Sequence, residues 1–267
     1  MIIMVWRGCS MRSIKVCAAM AMIAVSFCAA AASAQTAKPP AQDAMKATQK
    51  FDPKDITGIW MQVGGRAFKD YPLTPEYAAI LKKRKDDEAA GKPFNIAGDT
   101  CLPAGLVGSM TTGAYPIEIF YQTGGKEILF EKEIIGALYH VYLNRAHKSE
   151  DDLRPLFYGD SVGHWEGNTL VVDTISLGAS QAFDLLTPHS DALHAVQRLT
   201  RTAYDTLQDQ ITVDDAKALQ HPISATVTFK LHPDWEIEEY ECTNERFVRD
   251  SQGYEKIVPS AGSPADK

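Results

Sequence analysis

From residue 116 onward apolar and polar positions alternate in short runs, the two-residue period of half-buried strands. Ile117-Glu-Ile-Phe-Tyr-Gln122 alternates, Gly124-Gly125 offers a turn, and Glu127-Ile-Leu-Phe-Glu131 and Leu138-Tyr-His-Val-Tyr-Leu143 follow. The clearest hairpin is His164-Trp-Glu166 and Thr169-Leu-Val-Val-Asp173 around Gly167-Asn168, a two-residue loop of turn formers between β-rich arms. Runs at 195–204, 207–213, 224–231 and 236–242 complete the series, and Gly58-Ile-Trp-Met-Gln-Val63 opens it. Short connections without a repeated strand–helix–strand unit argue against a doubly wound nucleotide-binding fold. A mostly antiparallel meander of this length is expected to close into a barrel, which leaves no sheet edge unpaired.

One helix interrupts the pattern. Thr74-Pro75-Glu76 supplies an N-cap, a first-position proline and an acid in the first turn; Tyr77, Ile80 and Leu81 share a face, and Gly91 closes the segment. The charge run Lys82 to Glu88 reads as its solvated side. Gly58-x-Trp60 at the start of the first strand resembles the opening of lipocalin-type barrels. The expected fold is therefore all-β for the most part: an antiparallel lipocalin/calycin-like barrel with one or two short helices, as a single domain over 51–250 with a flexible tail at 251–267. A small barrel of this kind has room inside for one apolar ligand, with Trp60 lining it.

A hydrophobic content of 45% excludes a disordered or collagen-like chain. Arg12 and Lys15 precede an apolar stretch, Val16 to Ala32, that ends in Ala32-Ser33-Ala34, the small-x-small pattern of an export signal. Residues 1–34 are expected to be removed and 35–50 to form a flexible mature N-terminus, which places the protein in the periplasm or outside the cell. Of 27 Lys and Arg, Arg7, Arg12 and Lys15 fall in that segment, which holds no acid; the other 24 face 34 Asp and Glu, a net charge of −10. Nucleic acid is repelled by such a surface, as is an anionic membrane, and no membrane insertion is expected after cleavage. Cleavage also removes Cys9, Cys17 and Cys28. The remaining Cys101 and Cys242 are expected to pair in an oxidising compartment, closing a loop of about 140 residues worth at most about 5 kcal/mol by chain entropy.

Three constellations could carry chemistry. In the hairpin, a two-residue loop pairs Glu166 with Thr169, Trp165 with Leu170 and His164 with Val171, so His164 and Asp173 lie diagonally on one face. A histidine oriented by a carboxylate can transfer protons near neutral pH; a structural histidine at a barrel rim is the alternative. The loop Thr187-Pro-His-Ser-Asp-Ala-Leu-His194 brings His189, Asp191 and His194 to a presumed barrel mouth. His189 and His194 are not at the i, i+4 spacing of a helical zinc pair, so no metal is expected. Finally, His140 and Tyr142 share a strand face, as do His194, Val196 and Arg198. Tyr142 turned inward could donate a phenolic proton, and Arg198 could hold a carboxylate or oxyanion. Alternatively Arg198 caps Trp60 as a cation–π lid and Tyr142 merely packs. No nucleophile elbow, P-loop, dinucleotide fingerprint or Cys-x-x-Cys is present, and no cofactor is expected.

The run Gly159-Asp-Ser-Val-Gly-His-Trp-Glu-Gly-Asn-Thr-Leu-Val-Val-Asp-Thr174, with Pro188-His-Ser-Asp-Ala-Leu-His194 after it, resembles a family of exported bacterial barrel proteins from about Gly58 to Cys242. Members often carry Glu-Arg at Gln197-Arg198, and a histidine just after the cysteine where this chain has Cys242-Thr243. The resemblance implies bacteria that degrade aromatic compounds, lignin-derived phenolics among them, and so a substrate class. The combined expectation is a lyase without a cofactor, acting by decarboxylation, small-aldehyde release or elimination. In it His164 or His189 transfers the proton, Asp173 and Asp191 orient them, and Tyr142, Arg198, His194, His140 and Trp60 engage an apolar or aromatic substrate. A lipocalin-like carrier and an envelope protein with a protein partner are the competing readings.

Overall fold

A computed structural model describes residues 49–90, 102–113, 115–179, 182–184, 186–240, 245–249 and 255–259, the last two segments as backbone alone. The predicted export segment, Gly91, Cys101 and Cys242 lie outside these residues.

The predicted barrel is present. β1 (Gly58–Val63), β2 (Ile117–Tyr121), β3 (Glu127–Lys132), β4 (Ala137–Leu143), β5 (Asp160–Glu166), β6 (Thr169–Ile175), β7 (His194–Ala203), β8 (Thr206–Asp214) and β9 (Ile223–Leu231) close in chain order, with β9 paired back onto β1. The Gly167-Asn168 hairpin has the register its sequence predicts, Glu166 opposite Thr169, Trp165 opposite Leu170 and His164 opposite Val171. Gly167 takes the positive φ, 59°, that such a tight turn requires.

Closure imposes one exception to the meander. An odd ring of strands cannot alternate direction all the way round, so the nine-strand barrel needs a parallel pair, and that pair is β4 with β5. Parallel neighbours cannot be joined by a tight turn. Residues 144–159 therefore cross back over the outside of the barrel, and this crossover builds the site described below.

The inner wall follows the strand period. On β6, Leu170, Val172 and Thr174 are buried inward; on β7 the inward set is Ala195, Gln197, Leu199 and Arg201. Trp60 is fully buried and donates from Nε1 to the Ile56 carbonyl (2.9 Å). The cation over Trp60 is Arg201, 5.4 Å from the ring centroid, and not Arg198. The parity of β7 decides this: Arg198 is on the outer wall, where it pairs with Glu166 (2.8 Å). Arg201 also donates to the Tyr204 and Asp55 carbonyls, so the segment before β1 is held at this end of the barrel.

α1 (Pro75–Ala89) matches its prediction in extent. Its Thr74 hydroxyl does not cap the helix but donates to the Lys217 carbonyl (2.9 Å), and only Tyr77 and Leu81 of the predicted face pack on the core. α2 (Gly105–Thr111) is buried over its whole length and has no charged residue to mark it. Two readings change. Residues 236–240 are irregular and not a strand, and β10 (Glu245–Arg249) with β11 (Glu255–Pro259) forms a separate two-stranded sheet, carrying regular structure past residue 250.

Candidate functional site

Between the crossover and the outer wall of β4 lies a cleft of about 250 Å³. Leu138, His140 and Tyr142 form its floor, because alternation turns Tyr139 and Val141 into the barrel and these three out. Lys148, Leu156, Phe157, Tyr158, Gly159 and Asp160 form the other side. Tyr142 is thus an outward residue, correcting its expected inward orientation. Its ring is covered by the Arg145 guanidinium (4.2 Å) and stacks beside His140 (6.0 Å).

His140 is the imidazole in the lining, a side chain able to carry acid–base chemistry. Its Nδ1 lies 3.1 Å from Glu127 Oε2 on β3. A carboxylate oxygen only accepts, so Nδ1 carries the hydrogen and Nε2 is the nitrogen left to exchange a proton. Leu129 stands directly opposite His140 and Glu127 opposite Tyr142, so the pair is a diagonal cross-strand contact.

A second cluster fastens the crossover. His147 places Nδ1 2.9 Å from Asp160 Oδ2 and Nε2 2.8 Å from Asp173 Oδ1, contacts donated together only when both ring nitrogens carry hydrogen. Arg145 donates to Asp160 Oδ1 (2.5 Å), the Lys148 backbone N–H to Asp160 Oδ2 (3.2 Å), and His194 reaches Asp173 Oδ2 (2.9 Å). Burial works to raise both carboxyl pKa values, but the donors outweigh it. Arg145, His147 and the Lys148 N–H hold Asp160 below the ordinary value, and the two histidines do the same for Asp173.

The structure separates other residues that the sequence pairs. His164 and Asp173 do share a face, the outer one, yet Asp173 is taken by His147 and His194 while the exposed His164 contacts Glu166 (3.2 Å). His189 is buried against Phe183, its Nδ1 donating to the Ser190 carbonyl (2.8 Å), and burial lowers its pKa. Asp191 does not orient it; it is exposed and pairs with Lys217 (2.5 Å). The buried acid that meets that loop is Asp215, just past β8, which accepts from the Ser190 hydroxyl (2.6 Å) and backbone N–H (2.7 Å). His147, Asp160, Arg145 and Glu127 were not among the predicted residues. His147 sits in an irregular segment whose partners come from β5 and β6, and no local spacing announces that. Asp160 stood in the quoted motif, and its place at the first residue of a strand was the available signal.

Inside the barrel a file of polar groups crosses the apolar core. Asp209 Oδ2 accepts from Gln197 Nε2 (2.7 Å), Gln197 Oε1 accepts from Tyr139 (3.1 Å), and the Thr174 and Ser161 hydroxyls bond each other (2.8 Å). Asp209 Oδ1 has no hydrogen-bond partner, and burial pushes the carboxyl pKa up to about 6. Among the described residues, no three His, Cys, Asp or Glu side chains converge as metal ligands would. Compared with protein-family models and with curated proteins, the chain matches none.

Proposed function

We propose that the protein is a cofactor-independent enzyme of the lyase class that acts on a small aromatic molecule in the crossover cleft, in the periplasm or outside the cell. The observation that carries this reading is the His140–Glu127 pair opening onto a cleft walled by Leu138, Leu156, Tyr142, Phe157 and Tyr158. A proton-transfer group beside an aromatic and aliphatic wall is the minimum that such chemistry needs.

In the simplest balanced step, His140 Nε2 takes the proton of a side-chain hydroxyl on the substrate. The neighbouring carbon–carbon bond breaks, its electron pair passes to the ring-conjugated carbon, and a small aldehyde leaves. The imidazolium then returns its proton to that carbon. Decarboxylation and elimination use the same single group. Glu127 fixes the tautomer, and the His147 cluster fixes the far wall. Aromatic catabolism, suggested by the resemblance to exported bacterial barrel proteins, supplies the substrate class. The carrier reading has less support, since Trp60, Phe130, Tyr139 and Phe229 are buried within the barrel where an apolar ligand would sit.

The test is incubation of the purified protein with a panel of phenolic acids, alcohols and aldehydes, followed by chromatography. His140→Ala is expected to lower turnover by about 10²–10⁴-fold with substrate binding much less affected. Glu127→Gln is expected to cost less. Full activity in His140→Ala, or dependence on His164 or His189 instead, would move the site elsewhere.

A further inference from the structure

We infer that the crossover cleft selects an anion, and specifically a single-ring aromatic carboxylate whose carboxylate rests on Lys148. This deepens the proposed function and rests on the same cleft. One ammonium can face a ligand there, that of Lys148, beside the His140 imidazole and one carboxylate, Asp160. Asp160 is already consumed. Its Oδ1 accepts from Arg145, and its Oδ2 from His147, the Lys148 N–H and Arg145 Nη1 (3.4 Å). Glu127, beside the cleft, is held by His140. No acid in the lining is left to receive a cationic ligand.

Lys148 is in the opposite condition. Its backbone N–H is tied to Asp160, which fixes the position of the residue, while the exposed ammonium has no salt-bridge partner among the described residues. An unpaired ammonium on a residue whose backbone is anchored beside an apolar wall offers one charge contact next to a ring-sized surface. Leu138 is 40% and Leu156 50% exposed, and both flank the cleft. The volume, about 250 Å³, lies just below the usual range for small-molecule sites, about 300–1,000 Å³, which suits one substituted ring and not a fused ring system. The chain as a whole is acidic, so attraction of an anion must come from a local cation such as this one.

The experiment titrates the full mature protein by NMR with 4-hydroxybenzoate, its methyl ester, its amide and inorganic phosphate. The acid is expected to bind about tenfold or more tightly than the ester or amide, with the loss growing at high salt. Lys148→Gln, which keeps the backbone bond to Asp160, is expected to remove most of that preference, and Lys148→Arg to retain part of it. Leu156→Asp, which places a negative charge on the wall, is expected to weaken the acid more than the ester. Phosphate is expected to bind no better than the ester, because it gains nothing from the apolar wall. Equal binding of acid and ester, an unchanged preference in Lys148→Gln, or phosphate binding as tight as the acid would each overturn the inference. The outcomes also separate it from the proposed function. Turnover of neutral aromatics that depends on His140 would leave the enzyme standing without the anion; Lys148-dependent binding of the acid with nothing consumed would do the reverse.

Discussion

His147 Nε2 lies 2.8 Å from Asp173 Oδ1, although the two residues are 26 positions apart and belong to an irregular crossover and a barrel strand. With the Nδ1 contact to Asp160, this ring ties residues 144–159 to β5 and β6 at once. Backbone bonds of Leu156 with Ser176 and Gly178, and of Phe157 with Leu106, hold the far end of the crossover, while its first half depends on such side-chain ties.

Replacement of His147 by Ala is therefore expected to loosen the crossover more than the barrel. Contacts with two carboxylates are lost at a partly exposed site, a cost of about 2 kcal/mol. Hydrogen exchange should rise in 144–159 while β7 and β8 keep their protection. His194→Ala removes a single contact to Asp173 and is expected to do less. Uniform loss of protection across the barrel would contradict a local role.

The same ties make the crossover acid-sensitive. The Asp160 and Asp173 pKa values are lowered on folding, so their contribution is full above the unfolded value and is lost as pH falls through the folded one. Limited proteolysis in 144–159 should accelerate only as pH falls below the ordinary Asp value of about 3.9, with no change in mild acid, and Asp160→Asn should show the faster cleavage already at neutral pH.

Asp209 has the opposite sign. Its pKa is raised from 3.8 to about 6, so the folded chain holds a proton that the unfolded chain has released. Its contribution is full below the unfolded value and falls as pH rises through about 6, by about 3 kcal/mol in all at 1.36 kcal/mol per unit. Urea unfolding between pH 4 and 7 should show this slope, and Asp209→Asn should remove it. An identical slope in both proteins would mean that the carboxyl is not desolvated as its surroundings imply.

Arg201 and Arg198 should behave differently despite standing on one strand. Arg201→Met removes a buried guanidinium that bonds the Asp55 and Tyr204 carbonyls beneath Trp60, an expected loss of about 2–4 kcal/mol with a shift in tryptophan fluorescence. Arg198→Met breaks a solvated pair with Glu166 and should leave the unfolding midpoint nearly unchanged.

Cys101 and Cys242 are the two thiols left if the export segment is removed. Intact mass of exported protein should place the first residue at Gln35, and thiol titration of the denatured protein without reductant should find none. Two free thiols would remove the cross-link.

The sequence by itself determined the barrel, most of its strands and the register of its central hairpin. Those features depend on two local rules, the period of two along a strand and the turn chemistry of Gly167-Asn168, and both can be read over a few residues. The same parity, once a strand is given an inside, sends Arg201 to Trp60 and Arg198 to solvent. Which parity faces in is not local; it depends on which neighbours the strand meets when the sheet closes. Ring closure also decided the site. An odd number of strands forces one parallel pair, β4 and β5, and that pair forces a crossover on the outer wall. Only there do His147, Asp160, Asp173 and His194 converge, and only there do His140 and Lys148 face one cleft. Asp173 could be seen in the sequence as a carboxylate awaiting a histidine. Which histidine reaches it was set by the path of the chain in space, because the choice among His164, His147 and His194 turns on distances that only the closed barrel fixes.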